Sequence, residues 1–258
     1  VLPNMEDVYS MERTRDELPQ SAAGKTIMTT EPKFIPKEAA AVRLEDGIEA
    51  KVRLIDCVGY MVEGAAGHIE NDEERLVKTP WFDYEIPFTQ AAEIGTKKVI
   101  TDHSTIGVVV TADGSFGEIP REAYIPAEQK TIAELKKLGK PFVVLLNCEK
   151  PYSEPAASTA RQMTQDYGVS VLPVNCEQLK KEDVIRILST VLQEFPVTEI
   201  DFAIPKWLEI LPGDHWLKEQ LIQAAKAVLE RAMKVKDVAE SLAGQVTEQL
   251  KEIRMGAV

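Results

Sequence analysis

From Ile106 to Phe195 the sequence alternates short, almost wholly apolar runs with amphipathic stretches, and that alternation leaves few folds open. IGVVVTADG (106–114) precedes AEQKTIAELKKLG (127–139), PFVVLLN (141–147) precedes PAASTARQMTQDYG (155–168), and VSVLPVN precedes KEDVIRILSTVLQEF (181–195). The apolar runs lack the every-other-residue polarity of a strand with one wet face, so each is expected to be buried on both sides. The stretches between them carry apolar residues at helical spacing. Two end in glycine, Gly139 and Gly168, and the second has Pro155 in its first turn, as helix ends and starts prefer. Such strands separated by helices imply an α/β chain with a mostly parallel sheet, helices on both faces and right-handed crossovers.

Upstream, AAAVRL and EAKVRLIDC flank Glu45-Asp46-Gly47 and read as an antiparallel hairpin. KVRLIDCVG (51–59) opens as a buried strand with alternating charge, then places Asp56 directly after Leu54 and Ile55. The segment from Tyr60 to Trp81 is Gly-rich and acidic and reads as a long exposed loop. IPFTQAAEIGTKKVITDH (86–103) has helical spacing in its middle and should lead into the next strand. Past Pro196 the alternation ends: VTEIDFAIP is a candidate strand, and residues 215–253 form a long helical stretch with Gly244 as its weak point. A domain boundary is expected near Phe195 and Pro196, giving domains 1–195 and 196–258. The second piece is too short for a core of its own and reads as the start of an α+β domain.

A formal net charge of −12 and the lack of a dense basic cluster argue against a protein that wraps nucleic acid. Cys57, Cys148 and Cys176 are odd in number and lack metal-ligand spacing, and His68, His103 and His215 stand far apart. Neither a disulfide framework nor a zinc site is expected, and a reducing cytoplasm fits best. No apolar run approaches a membrane span, and VLPNMEDVYS lacks the regions of a signal peptide. VLPN reads as the tail of an earlier element.

In an open parallel sheet, ligands sit at the carboxyl ends of the strands. Asp56, Asp113, Asn147 and Asn175-Cys176 each follow an apolar strand. For Asp113 and Asn175 the plain reading is a turn or helix cap. Asp56 has a sharper one, because DCVG carries the D-x-x-G spacing of nucleotide switches. There a carboxylate holds the magnesium shell and a glycine amide, here that of Gly59, approaches the γ-phosphate. Thr29 and Thr30 precede the hairpin, where a switch threonine reaches magnesium and phosphate; the alternative is a run of threonines entering a strand. PQSAAGKT (19–26) imitates a P-loop but has Pro19 where the motif needs glycine, and it lacks a strand before and a helix after. The functional P-loop is therefore expected upstream of Val1. NCEK (147–150) stands where guanine-reading enzymes carry N-K-x-D. Lys150 occupies the aspartate's place and offers only donors, so guanine is rejected and adenine favoured, unless Lys150 turns away and Glu149 accepts instead.

With those residues assembled, the chain resembles the stage IV sporulation protein A family, coat-morphogenetic ATPases of spore-forming bacteria. DELPQSAAGKTIMTTEPKF, RLIDCVGY, TPWF, IPFTQAAEIGTKKVI, HSTIGVVVTADGS, GKPFVVLLN and HWL carry the likeness in order, over essentially the whole chain. The resemblance implies a GTPase-like P-loop NTPase fold with ATP and Mg as cofactors. It further implies Thr29 and Thr30 as sensor threonines, Asp56 as the Walker B carboxylate, and Gly59 and Asn147 at the nucleotide. Family members self-assemble into a static shell on the outer forespore membrane from the mother-cell cytoplasm. They are anchored by a small amphipathic peptide, stage V sporulation protein M, and recruit other coat proteins; they are peripheral, not transmembrane. This sequence departs from the family in lacking its P-loop and most of its C-terminal region, so the fragment is expected to fold without being active.

Two readings remain: an ATP-hydrolysing enzyme whose loops 20–36 and 57–80 switch on hydrolysis, or a polymer scaffold with a vestigial nucleotide pocket. Trp81 and Phe82 are read as packing their loop onto the core rather than facing a partner. The helix of residues 215–253 is either an assembly surface or a cover for its own domain.

Overall fold

The computed structural model describes residues 33–43, 49–70 and 72–243. Thr29, Thr30, Gly24-Lys25-Thr26, the turn Glu45-Asp46-Gly47 and Gly244 lie outside the described residues. By internal contacts the chain divides into two units, Val1–Val191 and Leu192–Val258.

In the first unit, β1 (Lys33–Arg43) and β2 (Glu49–Asp56) pair antiparallel, with Val42 opposite Ala50 and Phe34 opposite Ile55. The hairpin expectation holds, but β2 is not a buried strand. Its residues are half-buried or exposed, and Leu54 keeps 45% of its surface. Its Lys51 and Arg53 prefer water, whereas Ile35, Ala40 and Val42 of β1 are buried.

The expected loop from Tyr60 to Trp81 contains strands. β3 (Ile69–Glu70) pairs with β4 (Glu73–Glu74), and β5 (Leu76–Thr79) pairs with β6 (Phe82–Pro87) around Pro80-Trp81. Acidic composition concealed the alternation of β-formers in LVKT and FDYEIP. Helix α1 (Phe88–Lys98) follows and runs into a π-turn, Val99–His103; its carbonyls at Ile100 and Thr101, with that of Ser104 just after it, accept from Lys140 Nζ. Trp81 lies against Gly95 of α1, so this aromatic does pack its segment onto the core, as expected.

The alternating region forms as read. β7 (Gly107–Ala112), α2 (Arg121–Lys137), β8 (Phe142–Asn147), α3 (Glu154–Tyr167), β9 (Val171–Val174) and α4 (Lys181–Gln193) give a three-stranded parallel sheet in the order β7-β8-β9. Val144 and Leu146 of β8 pack with Ile132 and Leu135 of α2 and Ala160 and Met163 of α3. Leu145 points the other way and meets Ile187 of α4, so helices lie on both faces of the sheet; β7 departs from the expectation of burial on both sides, because Val108 and Val110 on its second face are 41% and 61% exposed. Ser153 caps α3 by accepting the Ala156 amide, and α3 closes at Gly168.

Helix α2 begins at Arg121, six residues before the expected Ala127, and carries Pro126 inside it. Proline forfeits one helical hydrogen bond. The added turn is held instead by Arg121, whose guanidinium grips Glu128 bidentately at 2.6 and 2.9 Å and donates to Thr111 Oγ1 at 2.9 Å. Tyr167 OH donates to the same carboxylate at 2.5 Å. This buried knot pins α2 and α3 to β7.

In the second unit, residues 197–205 are not a strand; the backbone makes only an isolated bridge, Pro196 to Lys234, among the described residues. A short helix α5 (Trp207–Ile210) leads to α6 (Trp216–Arg231) and α7 (Val235–Ala243), so the expected single helix breaks at Ala232–Lys234, upstream of Gly244. The Asp237 carboxylate accepts the amides of Met233 and Lys234 at 3.1 and 2.8 Å, starting a new helix there. Glu194, buried, receives Lys234 Nζ and Lys236 Nζ at 2.6 Å each. Among the described residues no helix is long and apolar enough to cross a membrane.

Candidate functional site

The sequence-derived residues fall into two groups carried by separate sheets. Asp56 ends β2, which pairs with β1, whereas Asn147 ends the central strand of the parallel sheet. Thr29 and Thr30 lie outside the described residues.

The first group is the turn Asp56-Cys57-Val58-Gly59 and the tyrosine after it. Asp56 is exposed at the strand end. Gly59 takes φ +83°, a conformation L side chains resist, and no atom lies within 4 Å of where a Cβ would stand. A side chain there would meet no neighbour, while the Gly59 backbone itself is engaged by the Cys57 thiol. Burial pushes the Cys57 thiol up, opposed by its hydrogen bond to the Gly59 backbone. Tyr60 anchors the turn: it is 9% exposed, with Lys130 Nζ of α2 4.3 Å from its ring centroid. Lys130 also pairs with Glu93 of α1 at 2.6 Å. Burial, then the Glu134 carboxylate, raise the Tyr60 phenol well above its ordinary range, leaving it neutral. The turn is therefore seated by its last residue, and Asp56 is left at the surface.

The second group is a belt across the carboxyl ends of β7, β8 and β9. Asn147 Oδ1 accepts the Cys176 amide at 2.9 Å, tying the β8 end to the β9 loop. The Asp113 amide donates to the Asn147 carbonyl at 3.1 Å. Asp113 Oδ1 accepts from the Ser115 amide at 2.8 Å and its hydroxyl at 2.5 Å, and Asn175 Oδ1 accepts the amides of Glu177 and Gln178 at 3.0 and 3.2 Å. Both are the turn residues the plain reading gave. Each also reaches further: the Glu149 amide donates to Ser115 Oγ at 2.8 Å, and Asn175 Nδ2 donates to the Glu149 carbonyl at 3.2 Å. Cys148, buried behind the belt, has its thiol pushed up to about 11 by burial and then by the Asp113 carboxylate.

Lys150 is exposed just past the belt and lines a groove of about 320 Å³ with Tyr152, Asn175, Lys180, Asp183 and Arg186. Asp56 is not among its walls, so the groove belongs to the strand-end group alone. Sequence reasoning missed Ser115 and the Arg121–Glu128–Tyr167 knot. Ser115 had a signal, the D-x-S of an Asx turn. Arg121 and Glu128 stand seven apart on one helix face, but Tyr167 joins them only through the topology.

Among the described residues no group of three His, Cys, Asp or Glu is placed to hold a metal ion. A magnesium that arrives with a phosphate ligand needs only one or two carboxylates, because waters and phosphate oxygens complete its shell. Asp56, exposed at the strand end, fits that kind of site.

Residues 1–196 match the family described as stage IV sporulation protein A, ATPase domain, and residues 197–258 match its middle domain. The chain is 44% identical over 248 residues to stage IV sporulation protein A of Bacillus subtilis (strain 168), covering 96% of this chain and 50% of that protein. Its identity to the protein of the same name from Bacillus anthracis is 44% over 238 residues, covering 92% of this chain and 48% of that protein. For Clostridioides difficile (strain 630) it is 47% over 238 residues, with the same coverages of 92% and 48%. The chain thus spans about half the length of the curated relatives it matches. No solved structure matches it.

Proposed function

The chain belongs to the stage IV sporulation protein A family, and from that membership we propose that it carries much of the ATPase machinery of a sporulation protein that hydrolyses ATP to build the basement layer of the spore coat. Residues 1–195 are the ATPase domain, of the GTPase-like P-loop class, and residues 196–258 begin the middle domain.

The observation that carries this reading is the D-x-x-G turn: an exposed carboxylate at a strand end, followed by a glycine in the left-handed region with no atom packed where a side chain would stand. Asp56 would hold magnesium through its water shell, with Thr29 and Thr30 contributing hydroxyls, and the Gly59 amide would meet the γ-phosphate. Magnesium, when bound, neutralises charge on the phosphates. Asn147 orders the base-side loops through its bond to Cys176, and Lys150 disfavours guanine.

Hydrolysis drives self-association into a static polymer at the forespore surface in the mother-cell cytoplasm. The layer is held to the outer forespore membrane by stage V sporulation protein M and recruits other coat proteins. In the full-length protein, Asp56→Ala should lower magnesium-dependent ATP turnover by at least about a hundredfold, as loss of a transition-state electrostatic group does. Turnover unchanged in that variant would remove Asp56 from the site. Polymerisation that proceeds equally without nucleotide would favour the scaffold reading.

A further inference from the structure

We propose that Ser115 and Asn175 are positioning residues for base selection, gripping the Glu149 peptide from both sides so that Lys150 is presented to an adenine; this rests on the nucleotide reading above. Neither residue has a place in the motifs that define the site.

The contacts are directional. Ser115 spends its hydroxyl proton on Asp113 Oδ1 at 2.5 Å, which turns an oxygen lone pair toward the Glu149 amide at 2.8 Å. Asn175 must present Oδ1 to the Glu177 and Gln178 amides, since backbone N–H groups only donate. Its Nδ2 is therefore the atom that reaches the Glu149 carbonyl. The next carbonyl, that of Lys150, accepts the Ser153 amide at 3.1 Å, where α3 starts. The main chain before and after the Lys150 side chain is fixed, while the side chain itself stands in solvent.

That matters because the ammonium sits on a flexible stem and discriminates only if its root is placed. Guanine offers two donors on its Watson–Crick edge, at N1 and N2, whereas adenine offers a bare N1 acceptor. An ammonium carries donors only, so placed opposite N1 it pairs with adenine and meets donors in guanine, whose O6 accepts only from an ammonium that has shifted. A loosened Glu149 peptide lets Lys150 drift and the distinction fade.

The test is the ratio of ATP to GTP affinity, measured by calorimetry on the full-length protein. Ser115→Ala removes the acceptor for the Glu149 amide. Asn175→Asp removes the donor to its carbonyl while keeping an acceptor for Glu177 and Gln178, so the turn survives. Each should reduce the preference for ATP by roughly two- to tenfold, the worth of one hydrogen bond, and Ser115→Thr should restore it. An unchanged ratio in both variants, with wild type preferring ATP, overturns the positioning role. A wild-type protein that binds neither nucleotide overturns the nucleotide reading and this inference with it.

Discussion

Two of the three cysteines stand directly after strand-end asparagines, Cys148 after Asn147 and Cys176 after Asn175, yet neither is tuned for reactivity. Burial raises both thiols, and the nearby Asp113 carboxylate lifts Cys148 further, to about 11. Thiolate is the reactive form, so alkylation of native Cys148 at pH 8 should be slower than in the guanidinium-unfolded chain by about a hundredfold or more. Mass spectrometry of iodoacetamide-treated protein reads this directly, and equal rates in the two states would contradict the burial. The linkage has a definite sign. The unfolded thiol gives up its proton near an ordinary pKa of about 8.5; the folded one holds it to about 11. Its contribution to stability is complete below the first value and is lost as pH rises through the second.

At the scale of elements, the knot of Arg121, Glu128, Tyr167 and Thr111 decides how α2 and α3 meet β7. Burial works to raise the Glu128 carboxyl, but hydrogen bonds from Arg121, Tyr167 and Thr111 outweigh it and hold it below its ordinary range. Glu128→Gln strands a half-buried guanidinium and should cost about 3 kcal/mol at pH 7, read from urea midpoints. A lowered carboxyl stabilises above its unfolded pKa of about 4.3 and ceases to as pH falls, so the gap between wild type and variant should narrow under acid. The alternation of β7 through α4 was legible because apolar runs and helical spacing are local signals. The start of α2 was not: the turn before Ala127 contains Pro126, and what holds it is a salt bridge joined by a residue of another helix. Strands β5 and β6 were hidden for a related reason, since their charge resembles a loop and their pairing depends on a partner strand.

Across the whole molecule, the second unit shows where a sequence pattern needs an answer from elsewhere in the chain. VTEIDFAIP has β-forming residues, but beyond Pro196 it finds no strand to pair with among the described residues. The long helix reads as continuous until Asp237 caps a new start. What joins these pieces is Glu194, fully buried and held by Lys234 and Lys236. Beside it the Val197 amide donates to Met233 O and the Val235 amide to Phe195 O. Glu194→Ala leaves two ammonium groups without their shared partner and should speed hydrogen exchange at Val197 and Val235 by about a hundredfold; exchange unaltered there would show that the bridge stands without it. The candidate site was legible as letters, D-x-x-G and N-C-E-K, whereas its bracing was not, because Ser115 and Asn175 act through main chain far from them in sequence. That bracing holds the peptide of Glu149 and never its side chain. The frame is indifferent to the letters it carries, so side chains at residues 149 and 150 can be exchanged by single substitutions while the main chain beneath them keeps its hydrogen bonds.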